Sequence, residues 1–372
     1  MQQVNAAIAA GTWPQPPGPS LLAWGLGTTG QLGLGNTTSY SSPKQVGTLK
    51  TWAYVSSGNA GSLAIKTDGT LWSWGGNTSG CLGLGDTTSR SSPVQVGSLT
   101  NWASVTSSPF QNTLAIKTNN TLWAWGNNQY GQLGTNNTTY YSSPVQVGAL
   151  TNWSQVVSGH QYTLAVKTDN TLWGWGYTFL GQIGNGSSGF GNIQSPVQVG
   201  AAISWSKTYA GYFNSYGVTT SGALWAWGDN GYGQLGLGNT TGYSSPKQVG
   251  ALTDWLDVAG YYGWAVAVKT NGTIWGWGTN SNGQLGLGNT TSYSSPKQIG
   301  ALTSWVKIYA GKGQSGVLAI KNDGTLWAWG ANGNGQLGFG NITNYSSPKQ
   351  VGTGTNWLSA SLSGNALAIA TI

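Results

Sequence analysis

Charge is scarce in this chain, because charged side chains make up 6% of its 372 residues, whereas an ordinary soluble protein carries roughly 25%. Its seven acidic residues are all aspartate, and it holds one histidine and one cysteine. General acid–base catalysis, nucleophile–base pairs and metal sites need more such groups, placed close together. The composition therefore argues against an enzyme, and we predict no catalytic residue, no metal site and no cofactor.

The few titratable groups do not form a catalytic pair. Asp254 and Asp257 are three apart in a predicted strand, so their side chains point to opposite faces of it. His160 is interpreted as a loop residue, and Cys81 occupies a position that holds glutamine in the other units. A hydrolase built on paired carboxylates is not predicted.

Long apolar runs are also absent, so no membrane span is predicted. The first ten residues lack the basic start of a secretion signal. The net charge is +7, but most of the lysines recur at two repeated positions and are evenly dispersed. Because nucleic-acid binding needs a continuous basic surface, this dispersal argues against nucleic acid as a partner.

What the chain does contain is a repeat. The dipeptide Trp-Gly recurs at intervals of 50 to 52 residues. A period of this length that fills a chain is typical of a radial or stacked array. The seven tryptophans are Trp24, Trp74, Trp125, Trp175, Trp227, Trp277 and Trp329.

One unit reads as four short strands. In the unit that starts at Trp52, a strand and a variable loop are followed by two strands around Asp68-Gly69, a pair that favours a tight hairpin turn. A glycine-rich loop comes next, and Pro93 begins the fourth strand. Seven such units predict an all-β protein, a seven-bladed β-propeller with four-stranded antiparallel blades.

The chain ends support a closed ring. The first unit contains only the second half of a hairpin, at residues 21–25, and the last unit ends with the missing first half, at residues 366–372. Pairing of these two strands closes the ring, whereas an open solenoid would need capping repeats. We therefore predict one propeller over residues 20–372, preceded by an arm at residues 1–19.

Residues 224–238, followed by Ser245-Pro246, resemble the repeat of the regulator of chromosome condensation family. The resemblance covers about residues 20–372 and implies a seven-bladed propeller. The best-known eukaryotic members of that family exchange guanine nucleotide on a small GTPase, through a wedge in one blade and acidic residues on one face. The unit spacing here leaves no room for a wedge, and the variable loops hold no acidic residue. The resemblance therefore implies the fold and not the exchange activity.

Other relatives in that family imply other settings. They include a secreted bacterial inhibitor that grips a β-lactamase with one propeller face. Uncharged repeats rich in Asn, Thr and Gly are similar to those of bacterial surface proteins and phage structural proteins. We therefore expect a bacterial or phage-like member of the family.

The loops after the first and third strands of each unit should share one face, and aromatic side chains concentrate there in four consecutive units. Aromatic loops on a rigid ring are typical of a recognition surface for a protein or a glycan; the alternative is that the rings fill the mouth of the central tunnel. The residues predicted for this face are Phe110, His160, Tyr162, Tyr212, Phe213, Tyr216, Tyr261, Tyr262 and Trp264, and the third-strand loops add Tyr130, Tyr177, Phe179 and Tyr232.

Two segments depart from the repeat. The loop at residues 184–195 replaces the usual Asn-Thr-Thr segment, and the arm carries Val4, Ile8 and Trp13 without any charged side chain. An apolar arm is expected to anchor the chain on a neighbouring subunit or a larger particle; the alternative is a terminus with no docking role.

The sequence thus predicts a non-enzymatic interaction or display propeller that binds a protein or glycan through an aromatic face and is anchored by its arm. A structural component of a virion or a cell surface is the favoured setting. The alternative is a soluble protein-binding inhibitor or regulator, which resembles either the β-lactamase inhibitor or the nucleotide-exchange factors.

Overall fold

In the part of the chain that the structure describes, twenty-eight β-strands form seven four-stranded antiparallel sheets, which are the blades of a propeller. A computed structural model describes residues 18–313 and 316–371 of the chain. No helix within these residues is long and apolar enough to cross a membrane. The all-β fold and the seven blades predicted from the sequence are confirmed.

Blades 1 to 6 each consist of four consecutive strands, and blade 7 combines the two ends of the chain. Blade 7 is formed by β1 (Pro19–Gly25), β2 (Tyr40–Gln45), β27 (Trp357–Leu362) and β28 (Asn365–Thr371). Blade 1 is β3 (Trp52–Ser57), β4 (Gly61–Lys66), β5 (Leu71–Gly75) and β6 (Arg90–Gln95), and blade 2 is β7 (Trp102–Ser107), β8 (Asn112–Lys117), β9 (Leu122–Gly126) and β10 (Tyr141–Gln146). Blade 3 is β11 (Trp153–Ser158), β12 (Tyr162–Lys167), β13 (Leu172–Tyr177) and β14 (Asn192–Val199), and blade 4 is β15 (Trp205–Ala210), β16 (Asn214–Thr219), β17 (Leu224–Gly228) and β18 (Tyr243–Gln248). Blade 5 is β19 (Trp255–Gly260), β20 (Trp264–Lys269), β21 (Ile274–Gly278) and β22 (Tyr293–Gln298), and blade 6 is β23 (Trp305–Ala310), β24 (Gly316–Lys321), β25 (Leu326–Gly330) and β26 (Tyr345–Gln350).

The ring closes through the two chain ends, as predicted. Strand β1 pairs with β28 in antiparallel register from Pro19 opposite Thr371 to Gly25 opposite Asn365. The pairing holds the first and last strands of the chain in one sheet, so that blade 7 has the same four-stranded order as the others.

A buried tryptophan links each blade to the one before it. The indole Nε1 of Trp74 donates a hydrogen bond to the carbonyl oxygen of Gln31 at 3.0 Å, and that of Trp125 donates to the carbonyl oxygen of Cys81 at 2.9 Å. Gly33 is required beside this contact, because its φ is 71° and a Cβ atom would lie 2.8 Å from the Trp74 Nε1. The backbone carbonyl of Cys81 accepts the same kind of hydrogen bond as that of Gln31, so cysteine is a tolerated substitution at this position.

The hairpin turns between the second and third strands are fixed by short polar contacts. The Asp68 carboxylate accepts hydrogen bonds from the Thr70 backbone N–H at 2.9 Å and from its hydroxyl at 2.6 Å. These bonds favour the ionised form and lower the pKa of Asp68. The Thr70 hydroxyl in turn accepts from Trp72 Nε1 at 2.9 Å, so the predicted turn aspartates are structural.

The core lies between adjacent blades. In blades 1 to 6 the second strand is buried at each described position, because its two faces pack on the neighbouring blades. The first strands contact one another around the ring and enclose the central channel. The loops after the first and third strands lie on one face, the upper face; the hairpin turns and the links between blades lie on the lower face.

Candidate partner-binding face

The upper face is held together by hydrogen bonds between its two sets of loops. In blade 2 the Asn127 N–H donates to the Gln111 carbonyl at 2.9 Å, and in blade 4 the Asp229 N–H donates to the Phe213 carbonyl at 2.8 Å. The loop after the first strand and the loop after the third strand are therefore adjacent, as predicted, and their side chains can form one surface.

Aromatic side chains of blades 2 to 5 form a continuous cluster on this face, which we call the aromatic patch. Its centre is Tyr212, whose ring centroid lies 4.0 Å from that of His160, 4.5 Å from Phe213 and 5.3 Å from Tyr262. The patch comprises Phe110, Tyr130, His160, Tyr177, Phe179, Phe190, Tyr212, Phe213, Tyr232, Tyr261 and Tyr262.

The patch extends outward from the channel to the rim of the propeller. Tyr177 stacks on Phe179 at 5.9 Å, and Phe179 contacts Phe190 at 4.5 Å. Phe190 is 88% exposed, Tyr232 is 50% exposed and Tyr262 is 49% exposed. These rings present apolar area to solvent at both ends of the patch, which is the property of a contact surface.

Three of the predicted face residues are not on the face, and for them the prediction is wrong. Tyr162, Tyr216 and Trp264 are 0% exposed. They belong to the second strands β12, β16 and β20, which are covered on both sides by neighbouring blades. The Tyr162 hydroxyl donates to the Asn214 carbonyl at 2.7 Å, and the Tyr216 hydroxyl donates to the Gln234 carbonyl at 2.7 Å, so these two polar tips are used inside the core.

The other six predicted residues lie in the patch. Phe110, His160, Tyr212 and Phe213 are half-buried, Tyr262 is exposed, and Tyr261 is 7% exposed beneath its neighbours. The anchoring residues Val4, Ile8 and Trp13 lie outside the described residues. Phe190 is the patch member that the sequence did not identify, although the unusual composition of its loop at residues 184–195 marked that segment.

His160 is a neutral member of the patch. Its ring lies between Phe110, at 4.8 Å, and Tyr212, and burial lowers its pKa to about 4. The Nδ1 atom is buried without a hydrogen-bond partner among the described residues. The imidazole is therefore uncharged at neutral pH and contributes apolar contact rather than acid–base chemistry.

Charged groups lie beside the patch and not within it. The Asp229 carboxylate accepts hydrogen bonds from Gln234 Nε2 at 2.9 Å and from the Gly231 N–H at 3.1 Å. Lys312 reaches across the channel from blade 6, and its Nζ donates to the Ser107 carbonyl at 2.9 Å. Burial lowers the pKa of Lys312 to about 8. The patch itself is an apolar and hydroxyl-bearing surface.

The aspartates of blade 5 do not meet, in agreement with the sequence prediction. Asp254 lies 3.2 Å from Lys269 Nζ, whereas Asp257 lines the channel, 3.9 Å from Lys207 Nζ. Burial raises the pKa of Asp257. No paired-carboxylate site is formed by these residues.

The fold and this face define a seven-bladed propeller with a neutral aromatic surface on one half of its upper face. A family model described as an RCC1-like domain matches residues 110–369, and the Regulator of chromosome condensation (RCC1) repeat matches residues 20–65 and 68–110. The chain belongs to the RCC1-like domain family.

Solved structures show the same fold. The chain is similar to human WBSCR16, with a TM-score of 0.83 at 21% identity over 95% of this chain and 99% of that one. It is also similar to Prp20p from Saccharomyces cerevisiae, with a TM-score of 0.83 at 18% identity over 96% of this chain and 92% of that one. The Prp20p structure was described with its binding properties to Gsp1p and histones, and a second yeast structure shows RCC1 (Prp20) bound by Kap60.

Proposed function

We propose that this chain is a non-catalytic regulator that binds a partner protein through the aromatic patch. The observation that carries the proposal is the continuity of the patch over four adjacent blades, from Phe110 in blade 2 to Tyr262 in blade 5. Rigid aromatic side chains supply large contact area at low entropic cost, and such residues dominate the binding energy of protein interfaces.

The position of the patch favours contact with a partner over filling of the channel. Phe190 lies at the outer end of the patch, where it contacts Phe179 and is 88% exposed, so most of its ring faces solvent. The mouth of the channel is instead crossed by Lys312, from a blade that contributes no ring to the patch.

The family relationship favours a protein as the partner. Prp20p has described binding to Gsp1p and histones, and RCC1 (Prp20) is bound by Kap60. These relatives favour the soluble-regulator alternative over display on a virion. The virion or cell-surface setting, the glycan partner and the bacterial or phage-like origin stay predictions from the sequence.

The test compares two variants changed at matching positions. Tyr212→Ser with Tyr232→Ser removes the centre and one edge of the patch, and Asn59→Ser with Asn334→Ser changes the corresponding loop positions of blades 1 and 6. Each pair of substitutions is made in the full chain, and the two variants are immobilised. The proteins that each variant captures from an extract of the source cells are then quantified. We expect a specific protein whose capture falls at least ~30-fold with the first pair, since a central aromatic anchor contributes about 2 kcal/mol or more, and is unchanged with the second.

Equal capture by both pairs would contradict the proposal. Guanine-nucleotide exchange is a more specific form of the regulator alternative, taken from the best-known members of the family that the repeat resembles, and it has its own readout. If the captured protein is a small GTPase, the chain should accelerate release of its bound nucleotide, and the patch variant should not. Binding without acceleration would leave a regulator that acts by covering its partner.

A further inference from the structure

Three pockets with equivalent linings lie at the rim of the propeller, each between two neighbouring blades. Each is bounded by the fourth strand of one blade and by the third and fourth strands of the next, which is blade 1, blade 5 or blade 3. Their volumes are about 380, 380 and 420 Å³. Pockets of this size bind small molecules in other proteins.

Part of each pocket wall is apolar. Beside blade 1 this part consists of the half-buried Trp72 indole, the Pro93 ring and the Leu49 side chain, which is 49% exposed. An exposed leucine next to an indole leaves apolar area that a ligand can cover. The same positions hold Trp173, Pro196 and Leu150 beside blade 3, and Trp275, Pro296 and Leu252 beside blade 5.

A second tryptophan in each wall carries an unsatisfied hydrogen-bond donor. Trp52, Trp153 and Trp255 line the three pockets and are at most 4% exposed. Their indole Nε1 atoms are buried without a hydrogen-bond partner among the described residues. By contrast, Trp24 and Trp74 donate to backbone carbonyls at 2.8 and 3.0 Å. Because an unpaired buried donor costs free energy, it marks a place for an oxygen atom of a ligand or of water.

The polar groups around these pockets are neutral or positive. Lys66 Nζ lies 3.6 Å from the centroid of the Trp72 ring, and Lys269 lines the pocket beside blade 5. The Gln45 amide and the Ser92 hydroxyl belong to the pocket beside blade 1. Among the described residues that line the three pockets there is no carboxylate. A fitting ligand therefore combines an apolar face with acceptor oxygens and needs no positive charge.

We propose that each pocket binds one N-acetylglucosamine unit of a glycan. The substituents of this sugar are equatorial, so the faces of its ring present C–H groups that can pack on Trp72 and Pro93. Its hydroxyl and acetamido oxygens can accept hydrogen bonds from the Trp52 indole and from Lys66, and its methyl group can contact Leu49.

The repetition of the pockets favours a glycan over a peptide. Equivalent pockets on alternate blades of one rigid ring match a ligand that presents the same unit many times, whereas a peptide presents unlike side chains in succession. Several weak sites that engage one surface together gain affinity through multivalency.

The proposed sugar sites do not depend on the proposed function, because none of the pocket residues belongs to the aromatic patch. The sequence suggested a glycan as a partner of the aromatic face. The rim pockets are a different location for it, so each proposal can fail without the other.

NMR titration of the isotope-labelled full chain with chitobiose, the disaccharide of N-acetylglucosamine, tests the sites directly. We expect the indole N–H signals of Trp52, Trp153 and Trp255 to shift. Those of Trp24 and Trp74 should stay in place, since both already donate within the core. Replacement of each tryptophan with phenylalanine, one at a time, assigns the signals.

Blade 7 supplies an internal control for this titration. Leu22 and Gly354 occupy the positions that Trp72 and Leu49 occupy beside blade 1. The Trp357 indole is also unpaired among the described residues, but it lacks these two neighbours, so its signal should not shift. An equal shift at Trp357 would overturn the proposal, because the lining would then not determine binding.

Adsorption of the full chain to chitin beads tests the combined effect of the sites. One variant carries serine at three leucines of the pockets, and the control carries serine at three exposed apolar residues of first strands outside these pockets. Loss of apolar contact at three sites should weaken adsorption at least ~10-fold, and the control should adsorb like the native chain. The pocket positions are Leu49, Leu150 and Leu252, and the control positions are Leu256, Val306 and Leu358.

All six of these side chains are exposed, so both variants should unfold as cooperatively as the native chain. Equal weakening of the two variants, or no shift of the pocket indoles with chitobiose, would overturn the proposal. Shifts with a Leu-Pro dipeptide in place of chitobiose would also overturn it, and would assign the pockets to a protein partner.

Discussion

In each of four blades, one residue lies directly before the glycine-rich segment of the loop that follows the third strand. This residue is Tyr130 in blade 2 and Tyr232 in blade 4, whereas it is Ser79 in blade 1 and Asn334 in blade 6. The backbone is the same in both halves of the face. The Tyr232 N–H donates to Gln234 Oε1 at 2.8 Å, and the Asn334 N–H donates to Gln336 Oε1 at 2.9 Å.

The comparison separates what the scaffold requires from what it permits. Since a polar residue satisfies the loop as well as an aromatic one, folding does not explain the tyrosines of blades 2 and 4. The difference between the aromatic half, in blades 2 to 5, and the polar half, in blades 6, 7 and 1, therefore points to a contact made by one half alone.

The largest expected effect distinguishes the two kinds of aromatic residue within blade 5. Trp264 is 0% exposed and belongs to a core cluster with Val317 and Trp329, whereas Tyr262, two residues earlier, is 49% exposed. Trp264→Ala should lower the free energy of unfolding by about 3–5 kcal/mol, and Tyr262→Ala by under about 1 kcal/mol. Urea unfolding measures both, and equal losses would show that the patch is part of the core.

A smaller effect compares two exposed apolar side chains at the outer rim. Phe190 of the aromatic half is 88% exposed, and Ile342 of the polar half is 67% exposed. Phe190→Ser should weaken partner binding ~10-fold, as loss of a peripheral aromatic contact of about 1.4 kcal/mol would, and Ile342→Ser should leave it unchanged. Titration of the captured partner against each variant checks this, and a matching loss with Ile342→Ser would remove the distinction between the halves.

The pH dependence of stability gives a further comparison. The pKa of His160 is about 4 in the folded chain, against about 6.5 when unfolded. The unfolded chain therefore takes up the proton first, so the stability that neutral His160 contributes is present above pH 6.5 and is lost as pH falls toward 4. Relative to His160→Phe, the native chain should lose about 1 kcal/mol across this range after allowance for partial exposure; a constant difference in unfolding midpoints would contradict the assignment.

The smallest effect concerns Lys312 in the polar half. Its pKa is about 8 in the folded chain and about 10.4 when unfolded. The contribution of neutral Lys312 to the stability of the fold is therefore present above about pH 10.4 and is lost as the pH falls to about 8. Relative to Lys312→Met, the native chain should gain under about 1 kcal/mol between pH 8 and 10. Thermal unfolding of both chains across that range measures the gain, and parallel curves would show that the ammonium is solvated.

The fold was predictable because the recurring residues show where each unit begins and which position each residue occupies within its unit. The spacing of Trp24 and Trp74 defines the unit, and the half-hairpins at the two ends leave one way to close the ring. The same register contains information that the prediction of the face did not use. Tyr216 falls at the position of Leu63 and Leu164, both 0% exposed, so an in-register comparison places its side chain in the core.

Other parts of the site have no internal counterpart. Phe190 lies in a loop whose sequence differs from that of the other units. Its contact with Phe179 depends on the backbone path of this loop, which cannot be inferred by comparison with another unit. The burial of Tyr162 and Trp264 depends on where the loop ends and the second strand begins, a boundary that shifts by one or two residues without a change in composition.

The central claim is that the aromatic half of the upper face contacts a protein and the polar half does not. A photo-cross-linking phenylalanine derivative placed at Tyr212 or at Asn59, the corresponding loop position of blade 1, tests this directly in an extract of the source cells. The account predicts one discrete protein adduct from position 212 and none from position 59, identified by mass spectrometry. The same adduct from both positions, or none from position 212, would contradict it.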